Sequence, residues 1–406
     1  MSFFRKYVLF NQFILMNYQL FEVNTKKTNL EFLLLPVRLY KNDKNYIRPL
    51  DQDIVNVFNP DKNKLFRNGE CIRWILMDEN KRTIGRVAAF IDHKSASKNE
   101  QPTGGMGFFD CINNQEAANI LFTKCKEWLK DKGMDAMDGP VNFGERDRWW
   151  GCLVEGFVPP NYCNNYNFPY YKELIESYGF QDYFRQLTYH SPITLKYMNP
   201  AIMEKAKRLS ANPDYLFKHI EKNSSGNYVT DFCTIYNKAW AKFPGVKPLA
   251  EAHVKVMFKS MKPIMDEKLL WFGYYKKEPI ACFIMIPEIN EVIKHLNGKF
   301  NLLAKLKFLY FLKLKKVCYK SFGFVFGIIP EQQRKGVEGA LIMAYANIAT
   351  KPSFPYSEIE MNWIGDFNPA MMHLLEEIGA RPSKIHITYR YLFDRNKGFK
   401  RCARVS

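Results

Sequence analysis

The chain lacks the residue patterns that mark several protein classes. Its nine cysteines are scattered without a C-x-x-C pair and its seven histidines are dispersed, so we expect reduced cysteines and no metal site. No stretch approaches the ~20 consecutive apolar residues that a membrane-spanning helix needs. Acidic residues are also scarce, since 41 Asp and Glu stand against 59 Lys and Arg. The net charge of +18 favours an anionic partner, which composition leaves open between nucleic acid, a phosphorylated cofactor and an anionic membrane surface.

The order of predicted elements repeats along the 406 residues. Paired strands, a strand, a helix, a strand, a helix and a strand occupy 71–192, and the same order returns over 269–393. The repeat predicts an α/β fold with mixed α+β sheets, built from two similar tandem units. We predict an N-terminal unit at 16–195, a helical connector at 196–228 and a C-terminal unit at 229–395.

The first 15 residues superficially resemble a signal peptide. They lack a small-residue cleavage site, and the segment that follows is rich in lysine. We therefore expect a cytoplasmic protein and favour Met16 over Met1 as the start of the chain.

The stretch 327–342 is the most informative part of the sequence. An apolar, strand-like run, 322–329, leads into a basic loop that contains Gly336, and a helix opens at Val337. The N–H groups of such a loop and of the first helical turn point at one spot, where the helix dipole favours an anion. This local pattern predicts a phosphate site.

Three further elements follow this loop. Residues 357–364 alternate between polar and apolar types like a strand. Asn368 is placed as the N-cap of a helix over 370–378, with Pro369 at its first position. Residues 385–393 alternate again and predict a last strand.

The phosphate loop is similar to the acetyl-CoA pyrophosphate loop of the GCN5-related N-acetyltransferases, the GNAT superfamily, whose pattern is Gln/Arg-x-x-Gly-x-Gly/Ala. Gln333 and Gly336 match this pattern, and Glu338 takes its last place. The order of the surrounding elements is also that of the GNAT core. The resemblance implies acyl-CoA as co-substrate, bound by the C-terminal unit. The candidate binding residues are Ile328, Ile329, Gln333, Arg334, Lys335, Gly336, Val337 and Asn368.

Other segments resemble one branch of this superfamily, the bacterial ceramide synthase-like proteins. They are Gly-Pro-Val-Asn-Phe at 139–143 with the segment 150–157, Tyr-Asn-Phe-Pro-Tyr-Tyr at 166–171, Tyr-Asn-Lys-Ala-Trp at 236–240, and the C-terminal loop. The resemblance runs from about 16 to 393. It implies transfer of a fatty acyl group from acyl-CoA to a long-chain amine such as sphinganine, although each motif residue also has a plain packing or capping explanation.

The resemblance also implies how N-acyl transfer is divided among residues. N–H groups near 327–329 would polarise the thioester carbonyl, and a carboxylate at the end of the next strand would accept the amine proton. Many GNAT enzymes have a tyrosine acid seven residues after the helix-starting asparagine, where this chain has Leu375. Tyr389 or Tyr391 would then substitute, or the thiolate would leave unaided. The candidate catalytic residues are Glu360, Asp366 and Tyr389.

The corresponding loop of the first unit, 110–115, differs from the phosphate loop. It has no glycine and no basic residue, and Asp110 stands where a pyrophosphate would lie. We therefore expect the N-terminal unit to lack a CoA site.

A long insertion, 291–321, precedes the phosphate-loop strand. Residues 292–330 contain eight lysines and no acidic residue, and leucines and aromatic residues are interleaved with the lysines. A basic, apolar helix of this kind suits an anionic membrane surface, so we predict contact through 292–320 and peripheral association with the inner membrane. A helix buried against its own domain is a close alternative. We expect no nucleic acid, because phosphate contacts need lysines and not a leucine face.

Three functions compete at this point. The first is a lipid N-acyltransferase, and the second is a GNAT-like binding or regulatory protein whose cofactor loop has decayed, as Glu338 and Leu375 would allow. The third is a basic protein associated with nucleic acid. Binding of acyl-CoA separates the first from the third, and turnover separates the first from the second.

Overall fold

The computed structural model describes residues 18–96, 101–144, 146–221, 227–240 and 248–404. Met1 and Met16, the alternative starts, lie outside these ranges. None of the helices formed by the described residues has the length and apolarity that crossing a bilayer demands.

The elements of the first half follow one another in an α/β order. They are β1 (Gln19–Glu22), α1 (Lys26–Leu39), α2 (Asp51–Val57), β2 (Gly69–Met77), β3 (Thr83–Asp92), α3 (His93–Ala96), β4 (Thr103–Cys111), α4 (Gln115–Asp131), β5 (Ala136–Gly139), β6 (Cys152–Glu155), α5 (Tyr171–Tyr178) and β7 (Gln181–Pro192).

The second half repeats much of this order. Its elements are α6 (Pro200–Ser210), β8 (Tyr215–His219), α7 (Tyr228–Ala239), α8 (Glu251–Met261), β9 (Leu270–Tyr275), β10 (Glu278–Pro287), α9 (Asn290–Ile293), α10 (Leu302–Leu309), β11 (Lys320–Ile328), α11 (Val337–Ala349), β12 (Glu358–Gly365), α12 (Pro369–Glu377) and β13 (Arg381–Leu392). A π-helical turn, Tyr310–Leu314, continues α10.

All described strands belong to one mixed sheet. Its order is β1-β2-β3-β4-β5-β13-β7-β12-β11-β10-β9-β8, and β6 pairs with β13 beside this path. The two halves exchange their last strands: β13 pairs with β5 of the first half, and β7 pairs with β12 of the second. The two units are therefore joined through the middle of the sheet, where β7 and β13 pair with each other.

The segment predicted as a helical connector contains a strand. α6 ends at Ser210, and Tyr215–His219 forms β8, which pairs with β9 at the edge of the sheet. The sequence explains both changes. Pro213 interrupts helical hydrogen bonding, and the half-buried Tyr215 and Phe217 alternate with exposed residues, which is typical of a strand. The unit boundaries proposed from the sequence stay a prediction.

Two pairs of parallel strands in the sheet separate along their length. β11 and β12 pair from Lys320 opposite Glu358 to Gly323 opposite Met361, and then diverge. In the first half, β4 and β5 pair over three positions only and also diverge. Each divergence opens a wedge in the sheet, and the contents of the two wedges differ.

Candidate functional site

A cavity of about 500 Å³ lies where β11 and β12 diverge. Its wall is mostly aromatic and aliphatic, with side chains from both strands, from α7, α11 and α12, and from a loop of the first half. The strand and helix residues of the wall include Phe322, Phe326, Met361, Trp363, Met371 and Leu375. A large apolar cavity with few polar groups is the usual form of a small-molecule site.

An aromatic pair at the C-terminal end of α7 forms one wall of this cavity. Tyr236 stacks on Trp240 with ring centroids 4.8 Å apart and an interplanar angle of 21°. Gly327 of β11 makes room for this wall, because a Cβ there would collide with the Trp240 ring. Asn237, which lies between these two aromatic residues in the 236–240 motif, binds the backbone beyond α7. Its side-chain amide accepts from the Leu249 N–H (2.7 Å) and donates to the Leu249 carbonyl (3.0 Å).

The end of β11 directs peptide groups into the wedge. The Ile329 N–H donates to the Ile280 carbonyl of β10 at 2.9 Å, so this N–H group is already used within the sheet. Peptide directions alternate along an antiparallel pair, so Ile328 turns its N–H and carbonyl to the diverging side. Gln333 Nε2 donates to that carbonyl at 3.1 Å. Gln333 therefore ties the loop back to the strand.

The predicted phosphate loop ends in a left-handed turn. Arg334 has φ of 61° and Gly336 has φ of 92°, a conformation that glycine adopts without strain, and α11 begins at Val337. Arg334 and Lys335 are exposed beside this helix start. Lys205 from α6 adds a third cation, with its Nζ donating to the Arg334 carbonyl at 3.1 Å.

Asn368 lies at the cavity and caps α12. Its side chain accepts from the Met371 N–H at 3.3 Å, as predicted from the Asn-Pro start of the helix. Leu375, two helical turns further along α12, is 1% exposed and lines the same cavity. The position at which the GNAT resemblance would place a tyrosine acid is thus part of an apolar wall.

Glu360 is placed away from the cavity. Its neighbours Met361 and Asn362 line the wall, whereas Glu360 is 3% exposed and accepts from Lys384 Nζ at 2.6 Å. Lys320 Nζ lies 3.9 Å from its other oxygen. A carboxylate held in this way neutralises buried cations.

Asp366 and Tyr389 are also engaged elsewhere. Asp366 accepts from the Arg185 N–H at 3.1 Å and from Arg401 Nη2 at 2.7 Å. The Tyr389 hydroxyl lies in the core of the first half and donates to Glu176 Oε1 at 2.9 Å. Burial raises the pKa of Tyr389 above its usual value. The structure does not bring Tyr389 together with the phosphate loop, and the catalytic roles of Glu360 and Asp366 stay predictions.

The residues that sequence reasoning missed come from the first half. Arg146 and Asp147, in the loop after β5, are the charged residues of the cavity wall within the described ranges. Trp363 Nε1 of β12 donates to the Arg146 carbonyl at 2.9 Å and so fixes this loop over the cavity. The only sequence signal is indirect, because the loop lies between two segments, 139–143 and 150–157, that carry the family resemblance.

A buried polar cluster lies near Glu360, at the junction of the two halves. Lys384 Nζ also donates to Asn161 Oδ1 at 2.9 Å, and burial lowers the pKa of Lys384, although Glu360 opposes this effect. Glu288 Oε1 accepts from the N–H groups of Tyr162 (3.0 Å) and Asn290 (2.9 Å). Burial raises the pKa of Glu288 to about 7.

The wedge of the first half holds a cavity of only about 70 Å³, which is narrowed by buried side chains of that half. Asp110 forms an ion pair with Arg86 at 2.7 Å and accepts from the hydroxyls of Tyr40 (2.9 Å) and Tyr171 (3.2 Å). All four of these side chains are buried. The absence of a CoA site from the first half stays a prediction. Over the described ranges, no group of three or more His, Cys, Asp or Glu side chains is arranged to hold a metal ion.

Comparison with known proteins extends the resemblance over most of the chain. No protein-family model matches it. Bacterial ceramide synthase from Caulobacter vibrioides (strain NA1000 / CB15N) is 26% identical over 372 residues, covering 90% of this chain and 95% of that protein. Protein YghO from Escherichia coli (strain K12) is 25% identical over 365 residues, covering 88% and 91%. A tandem GNAT protein from the clavulanic acid biosynthesis pathway aligns with a TM-score of 0.52 and 9% identity, covering 93% and 98%. The predicted tandem GNAT fold is confirmed.

Proposed function

The chain is an N-acyltransferase of the GNAT fold that resembles bacterial ceramide synthase, and from this premise we propose that it transfers a fatty acyl group from acyl-CoA to a long-chain amine. The observation that carries the proposal is that residues 322–326 of β11 line the apolar cavity and that the same strand, ending at Ile328, leads directly into the basic loop. A thioester needs both surroundings, because its CoA part is anionic and its acyl part is apolar.

The basic loop would bind the pyrophosphate of CoA. Arg334 and Lys335 supply charge, and the N–H groups that follow Gly336 lie at the start of α11, where the helix dipole favours an anion. Gln333 stabilises the loop from inside through the Ile328 carbonyl. Lys205 is close enough to join the cations around the phosphates.

The backbone N–H of Ile328 would polarise the thioester carbonyl. Its N–H faces the wedge, whereas the Ile329 N–H is used by β10. A fixed N–H donor stabilises the oxyanion that forms when the amine attacks the thioester carbon. Asn368, at the same cavity, would hold the pantetheine arm or the forming amide. The acceptor enters as an ammonium ion and loses two protons in all, one to a base and one to the departing thiolate or solvent.

The helix of the insertion, which consists of α10 and the π-helical turn that follows it and is called the insertion helix below, would bring the enzyme to its lipid substrates. Its inner residues Ala304, Phe308 and Leu312 are buried, but Leu302, Leu303 and Leu314 are 76%, 74% and 75% exposed. Exposed lysines accompany these leucines, at Lys305, Lys307, Lys313, Lys315 and Lys316. Leucines that enter the acyl boundary beside lysines that meet anionic headgroups suit a membrane interface.

The direct test is an assay of the purified chain with palmitoyl-CoA and sphinganine, with mass spectrometry for the amide and a thiol assay for released CoA. Gly327→Val should push Trp240 into the cavity and reduce turnover, whereas Gly398→Val, at a position with open space around it, should not. Equal activity of the two variants would contradict an acyl site in this cavity. Acyl-CoA binding without turnover by the parent chain would favour the alternative, a decayed GNAT-like binding protein, to which Glu338 in the loop and Leu375 in the wall point.

A further inference from the structure

Among the residues that the structure describes, the charged side chains of the cavity wall are Arg146 and Asp147, and both belong to the first half of the chain. The other described residues of the wall are glycine or carry aromatic, aliphatic or amide side chains. We propose that the Asp147 carboxylate receives the amino group of the acceptor, binding it as an ammonium ion and taking its proton. This assignment rests on the proposed function and names the half that supplies the acceptor side of the site.

The loop that carries Asp147 is held at the cavity by contacts on both sides of it. Trp363 Nε1 donates to the Arg146 carbonyl at 2.9 Å, which ties the loop to β12. The Trp149 N–H donates to the Cys163 carbonyl at 2.7 Å, which ties it to the first half. Asp147 lies between these two anchors, so its backbone position is determined even though its side chain keeps 44% exposure.

The carboxylate of Asp147 is more available than the other candidates. Its nearest cation in an ion pair is Arg148, at a long 3.9 Å, whereas Glu360 and Asp366 accept from cations at 2.6 and 2.7 Å. The Arg146 guanidinium instead lies over the Trp150 ring, 5.7 Å from its centroid. Desolvation by the surrounding loops raises the pKa of Asp147, although Arg148 opposes this effect, and a raised pKa makes a carboxylate a stronger base.

The reaction balances with one carboxylate. The acceptor enters as an ammonium ion and gives one proton to Asp147, and its nitrogen lone pair then forms the C–N bond with the thioester carbon. Collapse of the tetrahedral intermediate breaks the C–S bond, and the second nitrogen proton passes to the departing thiolate. Asp147 returns its proton to water before the next turnover. The products are the amide, CoA thiol and one released proton.

Binding can be tested without turnover by titrating the full chain with octylamine and, separately, with octanol, which has the same chain and no charge. The parent should prefer the amine, and Asp147→Asn should lose this preference by about ten-fold or more, since a hydrogen bond to a charged group is removed. Octanol affinity should stay the same. Asp61→Asn, at an exposed position of the first half, is the matched control. Equal loss of both ligands, or an unchanged preference, would overturn the assignment.

Kinetics supply the second measurement. Asp147→Asn should reduce kcat/KM with the amine by roughly 10²–10⁴-fold at neutral pH and regain much of it as the pH approaches the pKa of the free amine. Acyl-CoA affinity should be unchanged, and Asp147→Glu should recover part of the rate. A wild-type pH profile in Asp147→Asn would overturn the role while leaving the acyltransferase function intact. Asp147-dependent binding of the amine in a parent chain without turnover would support the assignment and refute the enzymatic function.

Discussion

Lys384 and Glu360 form a buried ion pair, 2.6 Å long, that spans the middle of the sheet. Lys384 belongs to β13 and Glu360 to β12, and β7 lies between these strands. Both side chains are almost fully buried, at 1% and 4% exposure. The pair therefore joins the exchanged last strand of the second half to the strand that borders the candidate active site.

We expect Glu360→Gln to destabilise the fold, because it leaves the Lys384 cation buried without its partner. Breaking a buried pair in this way costs about 3–5 kcal/mol in the free energy of unfolding, which urea denaturation would measure. Replacing both residues by Gln and Met should recover much of that loss. Glu358→Gln, with a side chain 32% exposed, is the control and should change stability by no more than about 1 kcal/mol. If Glu360→Gln instead kept full stability and lost turnover, Glu360 would be the base predicted from the sequence.

Glu288 should make stability depend on pH. Burial raises the pKa of Glu288 from its ordinary value of 4.5 to about 7 in the folded chain. The folded state therefore holds the proton more tightly than the unfolded state does. The stabilisation of the folded state by protonation of Glu288 is fully present below about pH 4.5 and is lost as the pH rises through about 7. Glu288→Gln lacks this titration.

The measurable quantity is the difference in unfolding free energy between Glu288→Gln and the parent. It should grow from pH 4.5 to pH 7 by on the order of 3 kcal/mol, at about 1.4 kcal/mol per pKa unit. His386, whose pKa burial lowers to about 4, changes stability in the opposite direction as the pH falls below 6.5, but it does so in both proteins and cancels. A difference that stays constant with pH would show that Glu288 ionises normally.

CoA should bind once per chain, at the start of α11. Gly336→Asp adds a negative charge and a side chain at a residue with φ of 92°, so calorimetry should detect no binding. Gly133→Asp is a matched control: Gly133 has φ of 78°, open space around it and a place at the end of α4. Two equal sites in the parent, or equal binding by both variants, would contradict the assignment of the CoA site to the phosphate loop.

The insertion helix should bind vesicles that contain anionic lipid. Each lysine near such a surface contributes about 1 kcal/mol, so replacing Lys313, Lys315 and Lys316 by Glu should weaken flotation by orders of magnitude at low salt. The same replacement at Lys62, Lys64 and Lys81, exposed residues of the first half, supplies the control. Flotation that both triple variants lose equally would indicate a response to net charge. Absence of flotation in the parent would make the insertion a packing element.

The parts of the site that the sequence predicts are those with local patterns. The loop around Gly336 and the Asn368 cap are encoded within a few residues, and the structure has both. Strand alternation likewise predicted β12 and β13, and the tandem GNAT fold is confirmed.

The remainder depends on contacts between distant residues. Lys384 meets Glu360, and Trp363 meets the Arg146 backbone across 217 positions, without any local signal for either contact. The amphipathic pattern of β7 and β13 gives their buried faces but not which strand they pair with, so the exchange was not predicted. The role of Asp147 was hidden for the same reason.

The central position of β13 also bears on biosynthesis. The ribosome delivers β5 and β7 long before β13, which ends at Leu392, so the growing chain keeps a gap between these two strands until β13 has been synthesised. The gap exposes unpaired backbone groups of the kind that promote aggregation and attract chaperones. A chain that stops short of β13 would lose the strand shared by both units, and its sheet would stay open between β5 and β7.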